Sequence, residues 1–195
     1  MPFASQRQNS RAEIGATMMT RYRVALACWC LLALFAVARA QAPQPMPRIS
    51  GESLAGQTVT LPDAAKGKVA LLIFGFTKAS KENTKAWGDR VLAEFGGQSR
   101  FELYQLPVLE DVPRLFRGMV ISGIKKDVKY NLRDHFVPIL HGEGEMKKLV
   151  AYREPDDAYM IVLNASGEIV QQTHGQFSDA GYRPMHDEIG RLLGH

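Results

Sequence analysis

An uninterrupted apolar run, KVALLIFGF at 68–76, restricts the fold of this chain more than any other feature. The run is too short for a buried helix, so it predicts a central strand in a sheet that is covered on both faces. From Ser80 onward the apolar residues follow the period of a helix. Its apolar positions are Trp87, Val91, Leu92 and Phe95. Gly96 and Gly97 are expected to end this helix.

Two more strands and an amphipathic helix are predicted on either side of this pair. The alternating segment QTVTLPD at 57–63 predicts a short strand that ends in a Pro-Asp turn. RFELYQLPVL at 100–109 predicts another strand. EDVPRLFRGMVISGI at 110–124 predicts a helix with acidic residues at its start. The apolar positions of this helix are Val112, Leu115, Phe116, Met119 and Val120.

The C-terminal part of the chain predicts a hairpin followed by a helix. AYMIVLN at 158–164 is a strand, NASGE is a turn, and EIVQQTHG at 168–175 is the partner strand. The last helix has apolar positions at Met185, Ile189, Leu192 and Leu193. Before the hairpin, residues 125–157 are less regular. They predict an insert whose first part, 125–138, is compatible with a helix and whose last part, 141–157, is a long, charged and exposed connection.

This order of elements predicts one α/β domain over residues 50–195, with a mixed sheet and helices on both faces. The strand LLIFGF that enters a helix, and the strand–turn–strand YMIVLNASGEIV, resemble thioredoxin-like and peroxiredoxin-like proteins. The resemblance covers about residues 50–193. It implies a thioredoxin-like three-layer α/β/α fold with a mixed central sheet.

The N-terminal region has the pattern of a signal peptide. Arg21 and Arg23 precede an apolar run at 24–38, and small residues at 38 and 40 fit cleavage after Ala40. The run is shorter than the ~20 residues that span a bilayer. We therefore predict a signal peptide over residues 1–40 and an exported protein, periplasmic or extracellular.

Two further features of this region follow from the same pattern. The signal peptide would be more compact if it began at Met18 or Met19, and an uncleaved N-terminal anchor is the alternative to cleavage. After cleavage, the alternation of proline with polar residues at 41–49 predicts an extended, Pro-rich tether.

The net charge of +4 does not indicate binding of nucleic acid. Residues 1–40 contain five arginines and one acid, so the remaining 155 residues carry equal numbers of bases and acids. A domain without a basic bias lacks the electrostatic footprint of a nucleic-acid-binding protein. We expect no nucleic-acid partner.

Both cysteines, Cys28 and Cys30, lie within the predicted signal peptide, so residues 41–195 contain none. In thioredoxin-like enzymes the elbow between strand and helix carries Cys-X-X-Cys, whose thiolate is stabilised by the start of the helix. Here the elbow reads TKASKE at 77–82. We therefore expect no thiol chemistry and no catalytic residue.

Two registers of the elbow fit the Cys-X-X-Cys pattern. One places Ala79 and Glu82 at the cysteine positions, and the other places Ser80 and Asn83 there. Thr77 or Ser80 is expected to be the N-cap of the helix. A nucleophilic Ser80 is the alternative, and it would need a positioned base.

The resemblance also implies a cis-proline next to the elbow, at the start of the strand AYMIVLN. That position falls near Ala158, and the nearest proline, Pro155, is three residues earlier. The chain thus departs from the thioredoxin pattern at a second part of the redox site.

Lysines cluster where the elbow enters the helix. Lys78, Lys81 and Lys85, with the free N–H groups of the helix start, could hold an anion or an acidic segment of a partner. A solvated helix face is the alternative, with Glu82 neutralising Lys85. The candidate partner-binding residues are Thr77, Lys78, Ser80, Lys81 and Lys85.

The remaining residues give no metal or cofactor site. The five histidines are His135, His141, His174, His186 and His195. None is paired with another at the spacing of two ligands on one helix, and copper-delivering thioredoxin-like proteins also need a cysteine pair. Asp156 and Asp157 are expected to shape a turn before the next strand.

A second resemblance suggests a role. MVISGIKKDVKYNLRDHFVPIL, a charged insert and DDAYMIVLNASGEIVQQTHG are similar, over about residues 70–175, to the thioredoxin-related assembly factors of the mitochondrial ATP synthase membrane sector. This resemblance implies an assembly chaperone without a redox centre, close to membrane proteins. It identifies no individual functional residue.

The sequence therefore predicts an exported, redox-inactive, thioredoxin-like protein that binds a protein or peptide as an assembly or chaperone factor. The alternative is a relative of thiol-disulfide oxidoreductases or peroxidases with cysteine-independent or vestigial activity. Neither function requires a cofactor or a metal ion.

Overall fold

The computed structural model describes residues 43–194. The predicted signal peptide at 1–40, its alternative starts and both cysteines lie outside the described residues. Every buried hydrophobic residue of the described chain lies between Met46 and Leu193. Residues 41–195 thus contain the complete core of this domain, and Ala42–His195 forms a compact unit by itself.

Residues 43–194 contain seven strands and four helices. The strands are β1 (Gln44–Pro45), β2 (Ile49–Glu52), β3 (Thr58–Leu61), β4 (Val69–Gly75), β5 (Phe101–Pro107), β6 (Ala158–Leu163) and β7 (Glu168–Gly175). The helices are α1 (Lys81–Phe95), α2 (Arg114–Asp127), α3 (Glu143–Leu149) and α4 (Asp179–Leu193), with 3₁₀ turns at Asp63–Ala65 and Tyr130–His135.

Five of the strands form a mixed sheet in the order β1-β7-β6-β4-β5. Only β4 and β5 are parallel, and the other neighbours are antiparallel. β2 and β3 form a separate antiparallel hairpin. This arrangement confirms the predicted α/β class with a mixed central sheet.

The central strand β4 is covered on both faces, as its apolar run predicts. Leu71 and Ile73 point to a core that includes Trp87, Val91 and Phe95 of α1, together with α4. Leu72 and Phe74 point to the opposite core. The second core is closed by the β2–β3 hairpin and by residues 137–150.

The segment predicted to be a tether, 41–49, is extended, but it is not free in the described part. Gln44 and Pro45 pair with Ile169 and Glu168 of β7. Met46 and Ile49 are buried in the core. Burial of these two apolar side chains fixes the segment on the domain. The alternation of proline with polar residues does not indicate this packing.

Two predictions for residues 125–157 are corrected by the structure: residues 136–139 are extended rather than helical, and the first part of the predicted exposed connection at 141–157 forms α3, which contributes to the core. Residues 136–139 continue the sheet beside β5, and their backbone N–H groups donate to the carbonyls of Gln105 and Pro107. Two apolar residues from this stretch and two from the α3 region enter the core. They are Val137, Ile139, Met146 and Val150. The charged residues of this segment masked a sparse but sufficient apolar pattern.

Helix α2 begins at Arg114 and ends at Asp127, later at both ends than the predicted 110–124, so Glu110, Asp111 and Val112 precede it and no acid lies in its first turn. Its apolar side is not covered by the described chain. None of its residues is buried. Leu115 is 85% exposed and Met119 is 66% exposed. Among residues 43–194, no helix is both long enough and apolar enough to cross a bilayer.

Candidate functional site

The elbow between β4 and α1 is a tight turn held by two hydroxyl groups. The Thr77 hydroxyl accepts a hydrogen bond from the backbone N–H of Ser80 at 3.2 Å. The Ser80 hydroxyl donates to the carbonyl of Thr77 at 2.9 Å. The first backbone bond of α1 then runs from Thr84 N–H to the Ser80 carbonyl at 2.9 Å. The elbow is thus closed by its own side chains.

Ser80 occupies the N-cap position but does not cap the helix with its side chain. The backbone N–H of Ser80 donates to the Thr77 hydroxyl. Ser80 is therefore the N-cap residue, and Thr77 supplies the side-chain oxygen at the start of the helix. Ser80 is 1% exposed. It packs against Gly75, where an added Cβ would lie 2.9 Å from the Ser80 hydroxyl oxygen. Among the described residues 43–194 no histidine is a hydrogen-bond partner of Ser80, whose hydroxyl donates to the Thr77 carbonyl, so the structure argues against a nucleophilic role.

The loop that precedes β6 is fastened to the elbow. The Thr77 hydroxyl donates to the Pro155 carbonyl at 2.8 Å. The Asn83 side chain donates to the Asp156 carbonyl at 2.7 Å. The cis X-Pro bond of the described chain is Leu61–Pro62, so Pro155 is preceded by a trans peptide bond. Pro155 therefore approaches the elbow through its carbonyl, and the departure from the thioredoxin pattern stands.

A tyrosine hydroxyl fixes the other side of this loop. The Tyr159 hydroxyl accepts from the backbone N–H groups of Arg153 and Glu154, at 2.9 Å and 2.8 Å. It donates to the Glu154 carbonyl at 2.9 Å. Tyr159 itself is fully buried. Residues 153–156 are consequently held from both ends, by β6 and by the elbow.

A histidine–aspartate pair completes this region. His174 Nδ1 lies 2.7 Å from Asp157 Oδ2. The His174 ring stacks on the Tyr159 ring, with centroids 5.3 Å apart and planes inclined by 19°. His174 also lies directly opposite Tyr159 in the β6–β7 ladder. This pair was not among the sequence candidates, and neither was Asn83 as a loop anchor.

The three lysines of the elbow have different environments. Lys81 Nζ lies 2.8 Å from Asp127 at the end of α2. Its hydrogen bond to Asp127 raises the pKa of Lys81 and lowers that of Asp127. Lys85 pairs with Asp89 rather than with the expected Glu82, and this pair raises the pKa of Lys85. Lys78 is exposed and has no ion-pair partner among residues 43–194.

Other parts of the described chain offer no competing metal centre. Residues 43–194 contain no group of three or more His, Cys, Asp or Glu side chains that could hold a metal ion.

A cleft of about 220 Å³ lies along β5, away from the elbow, and its walls include Leu92, Gln105 and His135. The imidazole of His135 in this cleft is paired with Glu102.

Comparison with known proteins relates this geometry to solved structures. No protein-family model matches the chain, and no curated protein sequence matches it. A Chlorobium tepidum protein described as a candidate thiol:disulfide interchange protein, DsbE, is 16% identical, with a TM-score of 0.57 over 78% of this chain and 97% of that chain.

Two other structures match to a similar extent. The exposed lipoprotein thioredoxin Etrx1 of Streptococcus pneumoniae is 13% identical, with a TM-score of 0.53 over 73% of this chain and 99% of that chain. BsSco, a member of the Sco family of cytochrome c oxidase assembly proteins, is 11% identical, with a TM-score of 0.54 over 80% and 99% of the two chains.

The chain has a thioredoxin-like fold. At these identities the similarity concerns the fold and does not extend to the activities of the matched proteins. Within this thioredoxin-like frame, the elbow joins β4 to α1 and faces the loop before β6. Four candidate positions for a Cys-X-X-Cys motif are occupied by Ala79, Ser80, Glu82 and Asn83.

The structure brings together only part of the predicted partner-binding set. Thr77 and Ser80 contact each other, and both are committed to internal hydrogen bonds. Lys81 and Lys85 point to different acids on α2 and α1. Lys78 is the member that keeps an exposed charge with no described counterion. The thioredoxin-like elbow therefore has one cation available to a partner.

Proposed function

We propose that this chain is an exported, redox-inactive thioredoxin-like protein that binds a protein or peptide in an assembly or chaperone role. The main support is the chemistry of the elbow. Residues 41–195 contain no cysteine, and the buried Ser80 hydroxyl already donates to the Thr77 carbonyl. An elbow in this state has neither a thiol nor a free hydroxyl for nucleophilic attack.

The loop before β6 supports a structural role for the same region. Thr77 and Asn83 each use a side chain to hold this loop by a backbone carbonyl. Each such bond contributes about 1 kcal/mol to stability. The elbow thus stabilises the contact between α1 and the loop, in the place where a redox protein would keep an open and reactive site.

Lys78 is the elbow residue that we assign to partner recognition. Its charge is exposed beside the Thr77 turn and has no counterion in the described chain. An acidic segment of a partner would complement it, whereas Lys81 and Lys85 would first have to leave Asp127 and Asp89. The proposed contact therefore centres on Lys78.

Export and an assembly role rest on independent observations. The pattern of residues 1–40 is that of a signal peptide. Among the proteins with this fold, Etrx1 is described as an exposed lipoprotein and BsSco as a member of a family of assembly proteins. These descriptions show that the fold accommodates both properties, which we propose for this chain as well.

Redox inactivity is tested by assaying residues 41–195 for insulin reduction and for peroxide turnover, with a cysteine-containing thioredoxin as the positive control. We expect both rates to equal those of a heat-inactivated sample, because the domain contains no sulfur that can form a disulfide. Turnover above that background would contradict the proposal and favour the oxidoreductase or peroxidase alternative.

Partner recognition is tested by placing a photo-crosslinking amino acid at position 78 in the full chain and irradiating intact cells. The matched control carries the same amino acid at Lys148, an exposed lysine of α3. We expect a discrete adduct from position 78 and none from position 148. Identical adduct patterns, or no adduct from position 78, would rule out the elbow as the contact.

A further inference from the structure

We propose that the exposed apolar side of α2 docks this domain on an anionic membrane surface. The docking surface, called the α2 ridge, consists of Leu115, Phe116 and Met119. This inference goes beyond the proposed binding function, because it concerns a different surface and a different class of partner.

The α2 ridge is apolar and open to solvent. Leu115 is 85% exposed, Phe116 is 47% exposed and Met119 is 66% exposed. In a helix, residues three and four positions apart are neighbours, so Met119 lies next to both Leu115 and Phe116 and the three side chains form a continuous patch. The partly buried residues Val120, Ile121 and Ile124 face the other way, toward the protein.

An exposed apolar patch of this kind indicates a binding surface. Isolated exposed apolar residues are ordinary, but a contiguous cluster of large ones usually marks an interaction site. The cluster is a convex ridge on a helix with no buried residue, and it does not form a groove. A helix with bulky apolar residues on one side and bases around them is the type that lies flat in the interface of a bilayer.

The charges around the ridge select an anionic surface. Arg114, Lys125, Lys126 and Lys129 are all exposed. The acid of the same helix, Asp127, is already paired with Lys81 at 2.8 Å. Lysines and arginines held at a membrane surface contribute about 1 kcal/mol each to binding of anionic lipids. By the 3.6-residue period of the helix, Lys126 lies on the same side of α2 as the ridge, whereas Arg114 and Lys125 lie on its flank and Lys129 follows the helix. Lys126 and the apolar side chains therefore act on the same surface, and the other bases add positive charge around it.

The remaining charged residue of α2 does not oppose this orientation. Arg117 is partly buried, and its guanidinium donates to the carbonyls of Val112 and Glu110 at 2.9 Å and 2.7 Å. Asp111 lies before the helix. The pKa of Lys147 is raised mainly by its hydrogen bond to Glu143, and the charge of Asp111 adds to that effect. Tyr130 follows the helix and is 85% exposed. An aromatic ring at the edge of a basic, apolar patch suits the interfacial region of a bilayer.

A second copy of the chain fits this surface less well. If two ridges packed antiparallel about their centre, Arg114 of each copy would lie level with Val120 of the other and would gain no acid. If they packed parallel, each base would face its own equivalent, which is unfavourable. Neither arrangement pairs the exposed bases with an acid of α2, since Asp127 is already paired with Lys81. The charge pattern thus favours a partner that is itself anionic.

An ion pair connects α2, which carries the ridge, to the elbow. The Lys81–Asp127 pair joins the end of α2 to the first residue of α1. Lys78 lies just before that residue. A domain docked through the α2 ridge would hold its elbow close to the membrane, within reach of segments of membrane proteins.

The test uses residues 41–195, which contain the complete core, and vesicles of phosphatidylcholine with or without one third phosphatidylglycerol. We expect the domain to cosediment with the anionic vesicles at low salt and to be released at high salt. The double substitutions Leu115→Gln/Met119→Gln and Lys125→Glu/Lys126→Glu should each weaken binding about tenfold or more.

A matched control keeps the result specific to the ridge. Lys148→Glu/Arg183→Glu makes the same change in net charge at two exposed positions outside α2 and the elbow, and it should bind within about twofold of the wild type. Thermal melts should coincide for all variants, because every substituted side chain is exposed. Absent binding by the folded wild type, or equal binding by ridge variants and control, would overturn the proposal. An acidic protein groove would then remain as the occupant. The crosslinking result at position 78 is independent of either outcome.

Discussion

Helices α2 and α4 come from the same sequence pattern but end in opposite environments. Both have apolar residues at helical spacing. In α4 the apolar side is buried against β4, β6 and α1, and its buried residues are Tyr182, Met185, Ile189 and Leu193. In α2 no residue is buried, and the largest apolar side chains are exposed.

The difference shows what amphipathicity can predict. Periodicity identifies a helix and the side that avoids water, but the surface that covers that side is supplied by the rest of the chain. For α4 that surface is the sheet and the Trp87 ring. The described chain supplies no surface that buries any residue of α2. The uncovered apolar side of α2 is therefore more informative about binding than the buried apolar side of α4.

The largest expected effect comes from truncating one methionine in each helix. Met185→Ala removes a fully buried side chain, so it should lower the free energy of unfolding by about 2–5 kcal/mol. Met119→Ala should change it by less than about 0.5 kcal/mol, because Met119 is already 66% exposed. Urea denaturation of residues 41–195, followed by the fluorescence of Trp87, measures both values.

The Met119 variant also tests whether the ridge is covered in free solution. A cost above about 1 kcal/mol, together with a midpoint that depends on protein concentration, would show that a second copy packs on α2. That result would contradict the charge argument against self-association. A small and concentration-independent change would support an exposed ridge.

A smaller effect is expected from the tie between α4 and α1. The Tyr182 hydroxyl donates to Glu94 at 2.6 Å, and the ring is buried. Tyr182→Phe should lower the free energy of unfolding by about 1 kcal/mol at neutral pH, because a hydrogen bond to a carboxylate is lost while Glu94 stays partly solvated. α2 has no corresponding tie from a tyrosine hydroxyl in the described chain.

The same substitution should change the response to alkaline pH. Burial, and then the bond to Glu94, raise the pKa of Tyr182, so the folded state holds this proton more tightly than the unfolded state does. The resulting stability is complete below the ordinary tyrosine pKa of about 10 and is lost as the pH rises above it. Burial raises the pKa of Tyr104 to about 12, so part of the alkaline loss will remain in Tyr182→Phe. An unchanged slope above pH 10 in the variant would contradict this assignment.

The parts of the fold that follow from local pattern could be predicted from the sequence. The apolar run of β4, the helix stop at Gly96 and the turn at 164–168 each depend on residues close together in the chain. The packing of residues 136–150 could not, because their charged neighbours conceal the few apolar residues that reach the core. Whether the apolar side of α2 is buried also depends on contacts with distant parts of the chain, which a local pattern does not contain.

The His174–Asp157 pair shows a more specific limit. A regular hairpin from Leu163 and Ile169 would place Thr173 opposite Tyr159, and His174 would point to the other face. A bulge at Val162/Leu163 shifts the register by one residue and brings His174 opposite Tyr159. Nothing in the sequence of the turn marks this bulge, so the pair could be recognised only from the structure.

The smallest effect that separates the two helices concerns glycine. Gly118 lies inside α2, and an added Cβ would meet no atom within 4 Å. Gly181 lies in the first turn of α4, where an added Cβ would be 3.1 Å from the capping hydroxyl of Ser178 and 3.7 Å from the Trp87 ring. Gly118→Ala should therefore favour the helix by about 0.5–1 kcal/mol, and Gly181→Ala should bring no gain.

Amide hydrogen exchange measures this difference where it arises. Because α2 packs loosely, its amides are expected to exchange through local opening, and Gly118→Ala should slow those after residue 118 by about two- to fivefold. Exchange in α4 should not become slower in Gly181→Ala, since the crowded cap offsets the gain in helix propensity. If Gly118→Ala instead accelerated exchange in α2, the helix would have to be packed against a neighbour at that position. The contrast between an uncovered α2 and a covered α4 would then be lost, because both helices would depend on tertiary contacts for their stability.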